Sequence, residues 1–390
     1  MDIKRVFLIV LDSYGIGNAP DAADFGDAGA NTLASIRKSA KYHTPNMEKL
    51  GLFCIDGVEP VQSQSDLIGS FGRLREASKG KDTTIGHWEI AGIVSEKPLP
   101  VYPDGFPQEV LDALKEATGR EILCNKPFSG TEVIAKYGEE HMRTGALIVY
   151  TSADSVLQIA AHEEIVPLDT LYDYCHKARE IMQGDYGVGR IIARPFVGTP
   201  GNFSRTPNRH DYSLVPPATT MMDVLVKKEL DTLGVGKIYD IFAGKSIQKT
   251  VSIKNNVDGM EKTFAFQKED FHGLCFTNLV DFDMVYGHRN NVDGYAEAAS
   301  VFDEQLGTFM AQMREEDVLI ITADHGCDPG FPGTDHTREC IPVMIYGAGV
   351  KEGVTLGTRD SFAHIGATVL DMLGVSGDIK GDSFWSEIKK

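Results

Sequence analysis

Three aspartates and three histidines stand out because of what precedes them. Asp12 follows the apolar run Arg5-Val-Phe-Leu-Ile-Val-Leu11, and the pair Asp324-His325 follows Val318-Leu-Ile-Ile321. Asp283, with His288 shortly after it, follows Gly273-Leu-Cys-Phe-Thr-Asn-Leu-Val280, and His336 closes a Gly/Pro-rich loop that begins at Gly326. Any one of these, alone, reads as a helix cap or a hydrogen-bonding turn residue. Together they offer hard oxygen and borderline nitrogen ligands suited to a divalent cation such as zinc or manganese. Six donors exceed what one four-coordinate catalytic metal needs and suit two, if a hydroxyl and a substrate oxygen complete the shells. The segment Ser78-Lys-Gly-Lys-Asp-Thr-Thr-Ile-Gly-His-Trp-Glu-Ile-Ala-Gly92 reads as a loop feeding a helix. It places Asp82, Thr83 or Thr84 at a helix N-terminus, which favours anions. A lone threonine there simply caps the helix; as a nucleophile it needs a metal or base to activate it. Two metals about 4 Å apart suit phosphoryl transfer, and a metal-bound alcohol loses its proton readily. The pattern itself does not separate Thr83 from Thr84.

These donors can meet only if a sheet brings its strand ends to one edge, as open α/β sheets do. Gly15-Ile-Gly17 lacks the third glycine of a dinucleotide fingerprint, so the turn after the first strand is not that motif. The Pro-rich stretch from Pro98 to Pro107 precedes a helix over Glu109–Thr118 stopped by Gly119. Strands are expected over Ala146–Tyr150 and Gly189–Arg194, with helical material around Leu168–Met182, a βαβ-like alternation. Residues 99–215 therefore form an inserted second domain, closed by Pro216-Pro217, within a discontinuous core of residues 1–98 and 216–390. The core resumes with a helix over Thr219–Lys228, then a short strand and turn around Gly234 that carries Lys237, a candidate phosphate contact. A helix over Ala296–Met313, a strand over Ile341–Tyr346 and a helix over Phe362–Leu373 complete it. Within the insertion Arg190, Arg194, Arg205 and Arg209, with His210, concentrate positive charge. They form either a solvated face or a site for bidentate phosphate recognition.

The 390 residues are 42% hydrophobic and 24% charged, with a formal net charge of -18. Such a chain is globular with ample core, and it is a poor ligand for nucleic acid or anionic membrane, which attract excess Lys and Arg. An anionic substrate would need local help from metals or a basic patch. The first strand begins without a signal-peptide pattern and no apolar run reaches membrane-span length, so the expected location is cytoplasmic. The six cysteines include no CxxC pair and read as reduced thiols. Cys327, beside the Asp-His pair, is a soft ligand or, more plainly, a shielded neighbour.

Asp12, Thr83-Thr-Ile-Gly-His87, Asp283-Met-Val with Gly287-His288, Asp324-His325-Gly326 and His336 resemble the motifs of the alkaline-phosphatase superfamily, which includes cofactor-independent phosphoglycerate mutases. The blocks Gly80-Lys-Asp-Thr83, Gly86-His-Trp-Glu89, residues 150–164, Thr206-Pro-Asn-Arg-His-Asp-Tyr212 and Gly333-Thr-Asp-His-Thr-Arg-Glu339 are similar to its phosphopentomutase family over almost the whole chain. The resemblance implies an α/β, alkaline-phosphatase-like core with a mainly parallel sheet flanked by helices, plus a smaller α/β cap able to close over the site. It implies a mutase moving phosphate between C1 and C5 of ribose or deoxyribose with two Mn2+, other divalent metals being possible. Asp283, His288 and His336 would hold one ion, and Asp12, Asp324, His325 and Thr83 the other. Thr83 would carry the phosphoryl group, primed by a sugar bisphosphate, with ribose 1,5-bisphosphate as intermediate. Ser152, Asp154, Val156 and Ile192 would face the sugar, and Arg190, Arg205 and Lys237 the distal phosphate. Cys327 departs from the expected Asp-His-Gly-Asn-Asp pattern. A phosphomonoesterase or phosphoglycerate mutase of the same superfamily, or a non-catalytic sugar-phosphate binding protein, are the competing readings.

Overall fold

A computed structural model of the chain describes residues 2–61, 66–152 and 154–390. Its strands are, in chain order, β1 (Arg5–Leu11), β2 (Ser70–Leu74), β3 (Ile122–Pro127), β4 (Leu147–Thr151), β5 (Val156–His162), β6 (Arg190–Thr199), β7 (Asn202–Arg205), β8 (His210–Ser213), β9 (Asp231–Val235), β10 (Lys249–Val251), β11 (Gly273–Leu279), β12 (Asp317–Thr322), β13 (Ile341–Tyr346) and β14 (Thr355–Arg359). They form two sheets in two compact units, Met1–Pro98 with Pro216–Lys390, and Leu99–Val215.

In the larger unit the strand order is β10-β9-β11-β1-β12-β13-β2-β14. The first five run parallel, β13 is antiparallel to both neighbours, and β14 is parallel to β2. β1, β11 and β12 are buried along their whole length, which is why they read as unbroken apolar runs instead of alternating ones. At the edge where these strands start, Arg5 clamps Asp317 through two bonds of 2.7 Å, and both side chains are buried. That leaves the opposite edge for chemistry. There β1, β11 and β12 end side by side, β2 also ends, and antiparallel β13 begins. The last two strands were not foreseen as such: β2 (SFGRL) and β14 (TLGTR) lack an apolar run and pair at the sheet's margin.

The smaller unit is a mixed sheet, β3-β4-β5-β6-β7 with β8 also on β6. The Gln108–Thr118 and Leu168–Ile181 helices cover one face through Val110, Leu114, Leu171 and Cys175 against Leu157, Ile159 and Ile191. The Gly130–Thr144 helix packs Val133 and Ile134 on Ile148, Ala160 and Phe196 of the other face. Among the described residues no helix is long and apolar enough to cross a membrane.

Candidate active site

Asp12 leaves the end of β1 fully buried, and Asn278 of β11 donates to its Oδ2 at 2.9 Å, so its Oδ1 faces the cluster without a hydrogen-bond partner. Asp324, just past β12, is held the same way. The Ser13 amide takes its Oδ1 at 3.0 Å, leaving Oδ2 over. The histidines follow suit: His325 Nδ1 pairs with the Gly326 carbonyl at 3.0 Å and His288 Nδ1 with the Thr334 carbonyl at 2.6 Å. Each residue thus spends one polar atom on the scaffold and presents the other inward, the arrangement that orients metal ligands.

The inward atoms converge. His325 Nε2 lies 3.3 Å from Asp12 Oδ1 and 3.3 Å from Asp324 Oδ2. Asp283 reaches His288 Nε2 at 3.2 Å and His336 Nε2 at 3.3 Å, and those two nitrogens are 3.1 Å apart. Asp12, Asp324 and His325 could hold one cation, and Asp283, His325 and His336 donate close enough together to hold another. Buried carboxylate oxygens on Asp12, Asp283 and Asp324 with no hydrogen bond among the described residues fit such ions. Asp283 and His288 do not sit on a plain strand end. They are presented by a π-helical turn over Phe282–Tyr286 and a tight turn over Gly287–Arg289, local irregularities frequent at functional sites. His336 reaches the edge because β13 runs antiparallel, which the sequence pattern did not reveal.

Thr83 is the first residue of the Thr83–Ile90 helix, capped by Asp82, whose Oδ1 accepts the Thr84 and Ile85 amides at 3.0 and 3.1 Å. Thr83 Oγ1 lies 3.1 Å from His325 Nε2, so Thr83 is the threonine that meets the cluster. Two residues one helical turn on, unassigned by sequence reasoning, set this approach. A Cβ on Gly86 would come within 2.1 Å of the Asp324 carbonyl oxygen, so only glycine lets the helix lie this close. His87 Nδ1 lies 2.8 Å from the Thr83 carbonyl and 3.1 Å from Asp324 Oδ2, joining Thr83 to Asp324. Thr83, Gly86 and His87 share one helix face, the i, i+3, i+4 signal that could have found them. Glu339 and Arg338 were also missed. Buried Glu339 accepts from the Gly17 and Thr32 amides and from the Thr32 and Thr337 hydroxyls, and burial pushes its carboxyl up to about 7. Arg338 binds Glu76 and Asp21 and the carbonyls of Gly80 and Glu76. Together they tie the His336 loop to the segments carrying Asp12 and Thr83.

Cys327 Sγ approaches Asp283 and His288 closely enough to join a cation. It lies, however, 3.9 Å from His288 Nδ1, the nitrogen that already serves Thr334, and donates toward the Asp335 carbonyl at 3.6 Å. Burial, then the Asp283 charge, pushes the thiol far up, which suits a shielded neighbour. The residues expected to face a sugar lie in the smaller unit. Ser152 and Asp154 share the β4–β5 turn, and Val156 is in register with Arg190. Ile192 follows on the same face of β6, and Arg190 faces Asp154 at 3.9 Å and Asp211 at 3.6 Å. Arg205 stands apart, opposite Phe196 on β7. Lys237 follows the end of β9, on the same sheet edge as Asp12.

The cluster's charges give a pH dependence. Burial opposes charge on His325, but Asp324 and Asp12 outweigh it and raise the imidazole well above its usual range; the bond to Asp283 raises His288. A histidine raised in the folded state stabilises the ion-free protein below about 6.5, its unfolded value, and that contribution is lost as pH rises through the folded value. Cations need the deprotonated rings. The rise in melting temperature on adding a divalent metal should therefore grow from pH 6 upward, with protons released on binding. Differential scanning calorimetry with and without metal measures this; a gain that is flat or falls with pH would contradict it.

This sheet edge, with carboxylate and imidazole donors gathered around one threonine hydroxyl, defines a metalloenzyme, and a metalloenzyme-superfamily model matches residues 4–377. The chain belongs to that superfamily and, within it, to the phosphopentomutase family. It is 58% identical over 389 residues to a phosphopentomutase of Lachnoclostridium phytofermentans and 56% identical to one of Carboxydothermus hydrogenoformans, each alignment covering 100% of both chains. Among solved structures, the PH0037 protein from Pyrococcus horikoshii shares the fold at a TM-score of 0.51 and 16% identity, covering 98% of this chain and 100% of that one.

Proposed function

We infer that this chain is a phosphopentomutase, an intramolecular phosphotransferase that depends on divalent metal and exchanges phosphate between the C1 and C5 oxygens of ribose or deoxyribose. The convergence of the unpaired oxygens of Asp12, Asp283 and Asp324 with the ring nitrogens of His288, His325 and His336 beside Thr83 Oγ1 carries this reading. Asp283, His288 and His336 hold one ion, and Asp12, Asp324 and His325, with Thr83, the other. Oxygen and imidazole donors without thiolate suit Mn2+. Bound there, the two cations ease deprotonation of a hydroxyl and screen phosphoryl charge.

The chain's own residues do the rest. The Asp82 cap and the His87 bond hold the Thr83 backbone so that Oγ1 points at the phosphorus, at a helix terminus that favours anions. Thr83, phosphorylated in a priming step by a sugar bisphosphate, gives its phosphoryl group to the incoming monophosphate. The resulting 1,5-bisphosphate returns its other phosphate to Thr83, regenerating phosphothreonine and releasing the isomer. Ser152, Asp154, Val156 and Ile192 read the sugar, and Arg190, Arg205 and Lys237 bind the phosphate that is not in transfer.

Ribose 5-phosphate incubated with Mn2+-loaded enzyme and a trace of bisphosphate should yield ribose 1-phosphate far faster than inorganic phosphate. Faster release of inorganic phosphate would make the protein a phosphomonoesterase instead, and turnover of phosphoglycerates in place of pentose phosphates would make it a phosphoglycerate mutase.

A further inference from the structure

The turn after β1 contains a residue in a conformation that its side chain disfavours. The Tyr14 amide donates to the Leu11 carbonyl at 2.9 Å, closing a four-residue turn with Asp12 and Ser13 at its centre. Ser13 has a φ of 73°, whereas Asp12 is not left-handed, so the turn is of the type II kind, whose third position is normally glycine. A residue with a Cβ is held there at a cost, and such strain persists only where the surroundings impose it. The cost has a use. In this conformation the Ser13 amide donates to Asp324 Oδ1 at 3.0 Å, and that bond turns Oδ2 toward His325 Nε2, 3.3 Å away.

Tyr295 supplies the restraint. Its hydroxyl lies 3.1 Å from Ser13 Oγ, and both side chains are fully buried. It sits in the first turn of the Val292–Ala311 helix, whose Asn291 cap accepts the Gly294 amide at 2.9 Å. The Tyr295 ring packs on Phe282, immediately before Asp283, with centroids 5.4 Å apart, and on Tyr14, immediately after Ser13, at 6.2 Å. One side chain from a long helix therefore reaches both turns that present metal donors.

We propose that Ser13 and Tyr295 are positioning residues for the cation held by Asp12, Asp324 and His325: the hydroxyl pair keeps Ser13 left-handed, and the left-handed backbone aims its amide at Asp324. Without the pair, the metal-free chain relaxes Ser13 into an ordinary backbone region, the amide leaves Asp324, and binding a cation must restore the strained turn. Glycine has no such relaxation to gain, since it takes positive φ about as readily as negative. The order of metal affinity at position 13 is thus glycine equal to serine, and both above alanine. A serine that mattered only as a packed, hydrogen-bonded group would give the opposite order for the two replacements, because glycine loses the methylene as well as the hydroxyl. The inference rests on the metal-centre reading above and deepens it; it does not depend on which phosphate ester turns over.

Mn2+ titrated by isothermal calorimetry into the full-length chain, stripped by chelator, reads this directly, and Asp324→Asn identifies which binding event belongs to the site. Tyr295→Phe and Ser13→Ala should each bind that Mn2+ about five- to tenfold more weakly than wild type. Ser13→Gly should stay within about twofold of wild type, and Tyr295→Phe added to Ser13→Gly should cost nothing further. With Ser13→Ala or Tyr295→Phe, turnover lost at limiting Mn2+ should return at saturating Mn2+, because the ligands themselves are intact. If Ser13→Ala fails to fold, the effect of Tyr295→Phe in the serine and glycine backgrounds decides alone. Weaker binding by Ser13→Gly than by Ser13→Ala, or equal loss on Tyr295→Phe in both backgrounds, overturns the inference while leaving the metal centre standing. Equal Mn2+ affinity in all these variants does the same. No Mn2+ binding by wild type would remove the metal centre and this inference together.

Discussion

Thr83→Ala should lose essentially all isomerase activity, a fall in kcat of about 10⁴-fold or more, while still binding metal. The side chain lost is a single hydroxyl and methyl at the first position of a helix whose cap is Asp82, so the Thr84 and Ile85 amides stay satisfied. Asp12, Asp324 and His325 keep their hold on Asn278, Ser13 and Gly326. What disappears is the atom 3.1 Å from His325 Nε2, the one the proposed mechanism uses to accept the phosphoryl group. Thr83→Ser, which keeps that oxygen, should recover a measurable fraction of the rate. Metal content by plasma mass spectrometry, paired with a ribose 1-phosphate assay, separates nucleophile loss from site collapse. Mass spectrometry of the peptide spanning Thr83 after incubation with a sugar bisphosphate should find phosphate on wild type and none on the alanine variant. Phosphate on Thr84, or undiminished turnover by Thr83→Ala, would end the proposed chemistry.

Asp12, Asp283 and Asp324 were legible as candidates because each comes just after a buried strand, and a buried parallel strand writes itself as an apolar run. Asp12, Asp283 and Asp324 inherit their positions from β1, β11 and β12, which are adjacent in the sheet. The convergence of distant residues was thus readable once the runs were taken as neighbours. What was not readable depended on pairing rather than pattern. β13 binds both neighbours antiparallel, and the sign of a pairing leaves no trace in a six-residue apolar segment. The π-helical turn at Asp283 arises from how residues 280–291 pack, and no residue type announces it. The Gly130–Thr144 helix went unread although Ser129 is an ordinary cap and Gly145 an ordinary stop, because its buried face, Val133, Ile134, Gly138 and His141, carries only two large aliphatic side chains. Glu339 and Arg338 look like surface residues in a polar loop. They are buried since the loop folds inward onto Gly15 and Gly17, where side chains would collide with Glu339 and Asn31.

Asp324→Asn should remove one of the two metals and with it at least about 10³-fold of the activity, although the replacement is nearly isosteric. The two oxygens of Asp324 have different partners, and the change falls on only one of them. Oδ1 accepts the Ser13 amide at 3.0 Å, a bond that an asparagine carbonyl can keep. Oδ2, without a hydrogen bond, lies 3.3 Å from His325 Nε2 and 3.1 Å from His87 Nδ1. An amide NH2 at that place is a donor and no ligand. The fold should persist because the backbone anchor survives, while the cation loses its only oxygen donor from β12. His87→Gln should cost less, about 10- to 100-fold, because it disturbs the orientation of Asp324 and Thr83 without removing a ligand. Metal stoichiometry measured on dialysed protein should fall from two per chain to one or fewer in Asp324→Asn, and the metal-dependent rise in melting temperature should shrink with it. A full metal complement with wild-type turnover in this variant would mean that Asp324 only braces Ser13, and the centre would have to be rebuilt around Asp12 and Asp283 alone.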